Sequence, residues 1–448
     1  MPSTSGRGKT GFMEQPSSSY GSTYENAPGA EDFRMPIYPL SGTQVRLEKL
    51  MRVLVLCALF LGSWRVARWG WTNFTLSDVC LVVAGAILLV QGRANGRPFG
   101  ELSSIWYFGF AAMLGGLLVG TMLNGDPQRW FIASSQYLFA YVFLPIILMS
   151  LDRQLLMRGM LLFVYGVALS QVIGIVTAQF FDYTATFYTL DHGFITPNGR
   201  IGAMTGEPNW NGAMCAFALA MLAYLHLRGQ IRVLIAIACA ICICAGLVVS
   251  ASFTAIASAA GGLMIMILAS GGGRAIKIGL AFVLVITSYV VLGGPLPEAF
   301  GARVSGALVT GDLSQAGTFD GRTLLIYEAW DMLDKTMFIG LGVDGYREAS
   351  SYGVPVHNLY LIIGNEGGLI ALFGLVCMIM VALTYSINFY RKDRLDGAVC
   401  LTMLGIFIAY SLAIPHMYTR IWVIPLFLCL AMSRQSWMQQ PQYIPRGQ

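Results

Sequence analysis

Apolar runs of about 20 residues recur along this chain, nearly free of charge and each long enough to cross a hydrocarbon core. No other feature constrains the fold as much. Lipid admits only structures whose backbone hydrogen bonds close internally, and runs of this length close as helices. Composition agrees: 56% of the 448 residues are hydrophobic and 11% are charged, where a soluble domain carries about 25% charged residues. The expected fold is an all-α integral membrane protein with about 12 transmembrane helices. The candidate spans are 50–64, 76–92, 104–123, 131–150, 155–181, 210–227, 232–250, 252–270, 275–294, 357–387, 396–414 and 418–433. The first is short and carries Arg52, which can snorkel toward the interface. The turn at Ser250-Ala251-Ser252 is tight. No repeat of fixed period is present.

Residues 1–45 are rich in Ser, Gly, Pro and Thr and lack apolar periodicity, so they read as a disordered tail without a secretory signal. The membrane domain covers 46–434, and 435–448 form a second short tail. The net charge of +5 does not imply a nucleic-acid partner, because the basic residues sit at helix ends. All nine cysteines fall in or beside apolar runs and none lies in the long loop, so no disulfide framework is implied. Cys242 and Cys244 diverge by about 200° on a helix and read as apolar filler.

The basic residues set an orientation. With the N-terminus in the cytoplasm, Arg46, Lys49, Arg93, Arg97, Arg153, Arg158, Arg228, Arg232, Arg274, Lys277, Arg391, Lys392 and Arg394 all face inward. Arg65 and Arg68, among Trp64, Trp69 and Trp71, read as part of an interfacial aromatic belt. Both termini then lie inside. Two loops lie outside, about 182–209 and a large one at about 295–356 that is expected to hold short helices.

Chemistry gathers on the outer face. His192, His357 and His416 map there, and only His226 lies inside. Arg200, Arg303, Arg322, Arg347 and Arg420 stand there against the charge bias. A planar guanidinium in that position suits phosphate oxygens. The alternative is pairing with loop acids such as Asp312, Asp320, Glu328 or Asp331. His357 follows Pro355 at the mouth of a long helix. The helix dipole keeps such an imidazole neutral and attracts an anion. The alternative is a histidine that merely caps the helix. Glu366 is read as the one acid deep in an apolar run, about 2.5 turns past His357 and on the opposite face. Gly364, Gly367 and Gly368 around it fit helix packing equally well. Asp331 and Asp334 share a helical spacing but read as a solvated face. The outer loops contain no Asp-x-Asp motif, which argues against a nucleotide-sugar and metal site.

Three stretches carry a family resemblance. Gly199-Arg200-Ile201-Gly202 leads into Gly206-Glu207-Pro208-Asn209-Trp210-Asn211-Gly212. Gly321-Arg322 precedes Ile326-Tyr327-Glu328-Ala329-Trp330 and then Gly340-Leu341-Gly342. His357-Asn358 is followed nine residues later by Gly368. In this order they resemble the O-antigen ligase and Wzy-type polymerase family of polytopic bacterial glycosyltransferases. The family's last signature closes with Gly, Thr or Tyr, where Ala371 stands here.

The resemblance implies an inner-membrane enzyme whose active site faces the periplasm. It would transfer a glycan from a polyprenyl-pyrophosphate carrier to an acceptor hydroxyl, with inversion and without metal or other cofactor. Arg200 and Arg322 would hold the pyrophosphate, with Arg420 adding a phosphate contact. His357 would deprotonate the acceptor. Glu207, Asn209, Asn358, His416 and Glu366 would support them. Arg200→Lys should then lose much activity, and chelators should leave the enzyme active. The acceptor would be another lipid-linked glycan in a polymerase or lipid A–core in a ligase, the first preferred, with other polysaccharide-assembly proteins as partners. A lipid-linked glycan flippase would share the bundle, but carriers place ionisable residues near the midplane. A structural membrane partner without an active site is the third reading.

Overall fold

The computed structural model describes residues 42–68, 74–271, 298–301 and 319–438, with a few positions between 273 and 280. Among them the chain is helical, with only isolated β-bridges at Arg68–Thr75 and Ile195–Ile201. Helix α1 covers Gly42–Phe60 and α2 Leu76–Val90. Helices α3 (Ser103–Asn124), α4 (Pro127–Met149) and α5 (Arg153–Phe180) follow. After short α6 (Tyr183–Thr189) come α7 (Pro208–Leu227), α8 (Val233–Ser250) and α9 (Phe253–Ser270). Then come α10 (Phe319–Thr336), short α11 (Gly345–Ala349), α12 (Leu359–Lys392), α13 (Arg394–Ser411) and α14 (Ile424–Met438).

Eight described helices are long and apolar enough to cross a membrane, and Leu76–Val90 and Ile424–Arg434 are shorter apolar helices. The protein is therefore an α-helical membrane protein. The expected span 275–294 lies mostly outside the described residues, and of the expected tails 1–45 and 435–448 only 42–45 and 435–438 are described, as helix. The first helix starts at Gly42, earlier than its apolar run. Arg52 does not reach out alone but pairs with Glu48 and Asp152, each at 2.8 Å.

Sequence dictates where helices start and bend. Asp126, Asp152, Asp182 and Asp393 each cap the helix that follows, accepting N–H bonds of its first turn. Inside α4, Pro145 offers no N–H to the carbonyl of Tyr141, and the helix widens to a π-turn at Phe139–Phe143. The freed Tyr141 carbonyl accepts the indole N–H of buried Trp106 at 2.8 Å.

Helix α7 is the central strut, buried over nearly its whole length. At one end Arg228 meets Asp393 and Asp396, while Arg153 and the Tyr224 hydroxyl also bind Asp396. At the other end Glu207 and Pro208 open the helix beside the cavity described below. Helices α3 and α12 touch backbone to backbone. A Cβ placed on Gly116 or Gly120 would stand 2.5 Å from the carbonyl oxygen of Gly367 or Glu366. Small residues allow this approach, as in other membrane helix pairs.

Helix α12 is broken at Gly368, whose φ of 69° and ψ of −174° are essentially reserved for glycine. The break frees backbone groups, and the segment Met337–Gly342 takes them up. Leu341 and Gly342 donate to the carbonyls of Asn365 and Glu366, both at 2.9 Å, and Leu369 donates to Met337 at 2.8 Å. Non-helical backbone at membrane depth is tolerated only when protein satisfies it in this way.

Candidate active site

The Glu-Pro-Asn stretch builds one wall. Glu207 is the N-cap of α7, its Oε2 accepting the Trp210 N–H at 2.7 Å, and Pro208 occupies the first turn, where no N–H is missed. Asn209 donates to Glu207 Oε1 at 2.9 Å and accepts from the Arg200 guanidinium at 2.8 Å. Arg200 also donates through Nε to the carbonyl of Ser250 at 2.8 Å, at the C-terminal end of α8. That bond uses the tight turn at Ala251, whose φ is +43°. Asn211 fixes the segment to the bundle through a reciprocal amide pair with Gln171 and a bond to the Ile201 carbonyl.

Helix α10 builds the opposite wall. Buried Asn365 on α12 ties it down, donating to Ala329 and accepting from Thr336. Glu328 on α10 holds α11 and the start of the loop after it by bonds from Tyr346, Ser350 and Ser351. Burial alone raises the Glu328 carboxyl, but these bonds outweigh it and hold the group below its ordinary range. Asn358 is the N-cap of α12 and accepts from Tyr360 and Leu361. His357 is thus free of the capping role and stands just before the helix.

These walls enclose a cavity of about 380 Å³ lined by His357, Arg322, Arg347, Glu207, Asn209, Trp210, Asp344, Glu366, His416 and Tyr418, among others. His357 is half-buried. Burial, and then the neighbouring Arg322 charge, lower its pKa from 6.5 and keep the imidazole neutral. Burial pushes Glu207 upward, against the N–H bond from Trp210 and the charge of Arg200. His416 is drawn down to about 4, also by burial.

The structure therefore gathers His357, Arg322, Glu207, Asn209, His416 and Glu366 in one place. Arg200 stands behind the wall and reaches the cavity through Asn209. Arg420 does not line it. Its buried guanidinium contacts Asp78 and Thr75 at the start of α2. Glu366 does not face away from His357. His357 precedes the helix, so a helical angle counted from it has no meaning. Glu366 also has company, since Asp78 and Asp396 are buried acids within apolar runs.

The aromatic-belt reading of Arg65 and Arg68 does not describe their contacts. Arg65 lies over the Trp210 ring at 4.8 Å, and Arg68 pairs with buried Asp191 at 2.8 Å, which also holds His192. Trp69 and Trp71 lie outside the described residues, as do Arg303 and Asp312. Asp331 and Asp334 are exposed, as expected of a solvated face. The nine cysteines are free thiols. Asp344 and Tyr418 are the titratable cavity residues that sequence reading passed over. The one signal for Asp344 is position, two residues past the Gly340-Leu341-Gly342 turn.

The fold defines a polytopic α-helical membrane protein. In comparisons with known proteins, the chain matches no family model and no curated protein.

Proposed function

We propose that this chain is a membrane glycosyltransferase that moves a glycan from a polyprenyl-pyrophosphate carrier to an acceptor hydroxyl. The observation that carries this reading is the pairing of His357 with Arg322 in one cavity at the mouth of α12. Arg322, with Arg347 beside it, supplies fixed positive charge for the phosphates. As the bond from anomeric carbon to pyrophosphate breaks, the leaving group gains negative charge, which preorganised guanidiniums stabilise. Neutral His357 takes the proton of the acceptor hydroxyl while its oxygen forms the new bond from the opposite face. The anomeric configuration inverts. Arg200 acts as a positioning residue, holding Asn209 and Glu207 at the cavity wall.

Such a site would lie on the periplasmic side of a bacterial inner membrane. Polymerisation of repeat units remains the preferred form and ligation to lipid A–core the second. The discriminating result is a mutant's phenotype: single repeat units for a polymerase, unattached finished polymer for a ligase.

The test is reconstitution in detergent with a lipid-linked glycan donor. New glycan product without a sealed bilayer is expected, and His357→Ala should slow it by about 10²–10⁴-fold. Absence of product from the wild type, or wild-type turnover by His357→Ala, would overturn the assignment.

A further inference from the structure

We propose that Asp344, Glu366 and His416 form a binding site for a divalent transition-metal cation of the Mn²⁺ or Zn²⁺ kind. Each residue offers one ligand atom, and the three atoms lie within 4.8 Å of one another. His416 Nε2 stands 3.8 Å from Glu366 Oε2 and 3.9 Å from Asp344 Oδ1. These separations are too long for hydrogen bonds. They do fit around a single ion with nitrogen and oxygen ligands at about 2.0–2.2 Å.

A second observation points to a ligand. Glu366 is fully buried, yet neither carboxylate oxygen makes a hydrogen bond among the described residues. The backbone amides of Asp344 and Tyr346 face it and offset part of its charge, without supplying a counter-charge. The Nδ1 of His416 likewise makes none. Buried carboxylates are normally paired or bound to metal, because an uncompensated one is costly. Arg129 approaches Asp344 Oδ2 at 3.5 Å, but its side chain is 63% exposed and solvent weakens that pair.

The donor set suggests which ion. Calcium and magnesium prefer oxygen alone, whereas one imidazole with two carboxylates suits manganese or zinc. The ligands are also held in place. Asp344 and Glu366 flank the backbone clasp at the break in α12, and His416 lies in the α13–α14 connection. All three line the cavity, so remaining coordination positions would be open to water or to an anionic oxygen. This inference stands on the triad and does not rest on glycan transfer. It runs against the metal-free expectation drawn from the family resemblance.

The experiment uses the full chain in detergent, stripped with EDTA and titrated with Mn²⁺ or Zn²⁺. Bound Mn²⁺ is read from loss of the free-ion paramagnetic resonance signal, Zn²⁺ by calorimetry. Saturable uptake of one ion per chain is expected, with either ion. Asp344→Asn and His416→Gln should each weaken it about tenfold or more. The added ion should raise the thermal midpoint of the wild type more than that of either variant. A control with Asp331→Asn and Asp334→Asn should bind like the wild type. Glu366→Gln belongs in the series, but its core position makes the two loop variants the deciding ones. No saturable binding by the wild type, or unchanged affinity in either loop variant, would sink the proposal.

Discussion

At the scale of single residues, two arginines read alike in sequence have different work. Arg322 lines the cavity and bears on His357 through space. Both burial and that charge disfavour the imidazolium, so the ring stays unprotonated below its ordinary pKa of 6.5. Removing the charge raises the imidazole pKa. In Arg322→Gln, the acid limb of the pH–rate profile should therefore move to higher pH, besides any fall in rate. Arg200 instead spans the Ser250 carbonyl and Asn209. A lysine ammonium does not reproduce that fork. Arg200→Lys should cost about 2 kcal/mol of stability, the worth of one charged hydrogen bond, read as a lower thermal midpoint. Turnover should fall with it, through Asn209 and Glu207. Sequence could flag both arginines because they break the charge bias. It could not show which one faces the cavity, since that depends on the turn between α8 and α9.

At the scale of elements, apolar spans were legible because hydropathy is a local property of each run. The tight turn at Ala251 and the start of α12 beside His357 were legible for the same reason: short-range signals mark them. The break in α12 was not. Gly368 sits inside one continuous candidate span, and its conformation is imposed by bonds to a segment about 30 positions earlier. Those bonds also bring Asp344 against Glu366, which explains why the triad was invisible in sequence. Gly368→Ala should cost about 1–3 kcal/mol from backbone strain. The added Cβ would also meet the Met337 carbonyl at 3.0 Å. Reduced thermal stability together with loss of activity is the expected result, since the cavity floor moves with the helix.

At the scale of the whole molecule, the two ends of α7 divide the labour. One end carries the cavity. The other carries an ionic knot in which buried Asp396 joins Arg153, Arg228 and Tyr224. Withdrawing the charge leaves two guanidiniums without their central partner. Asp396→Asn should cost about 3 kcal/mol, visible in thermal unfolding. Because the knot lies about 30 Å along the helix from Glu207, KM for a lipid-linked donor should change little. The knot was only half visible in sequence. Its arginines appeared as ordinary cytoplasmic charges, and Asp396 passed unremarked at the edge of an apolar run.

The bonds that bridge the gap at Gly368 make the Met337–Gly342 strap part of the helix it crosses. Deuterium should enter the amides of Leu341, Gly342 and Leu369 as slowly as it enters the lipid-shielded backbone, although two of them belong to a stretch that looks aqueous. A ligand of the cavity therefore cannot push that strap aside without melting part of α12. Its path in and out must run past a fixed sill.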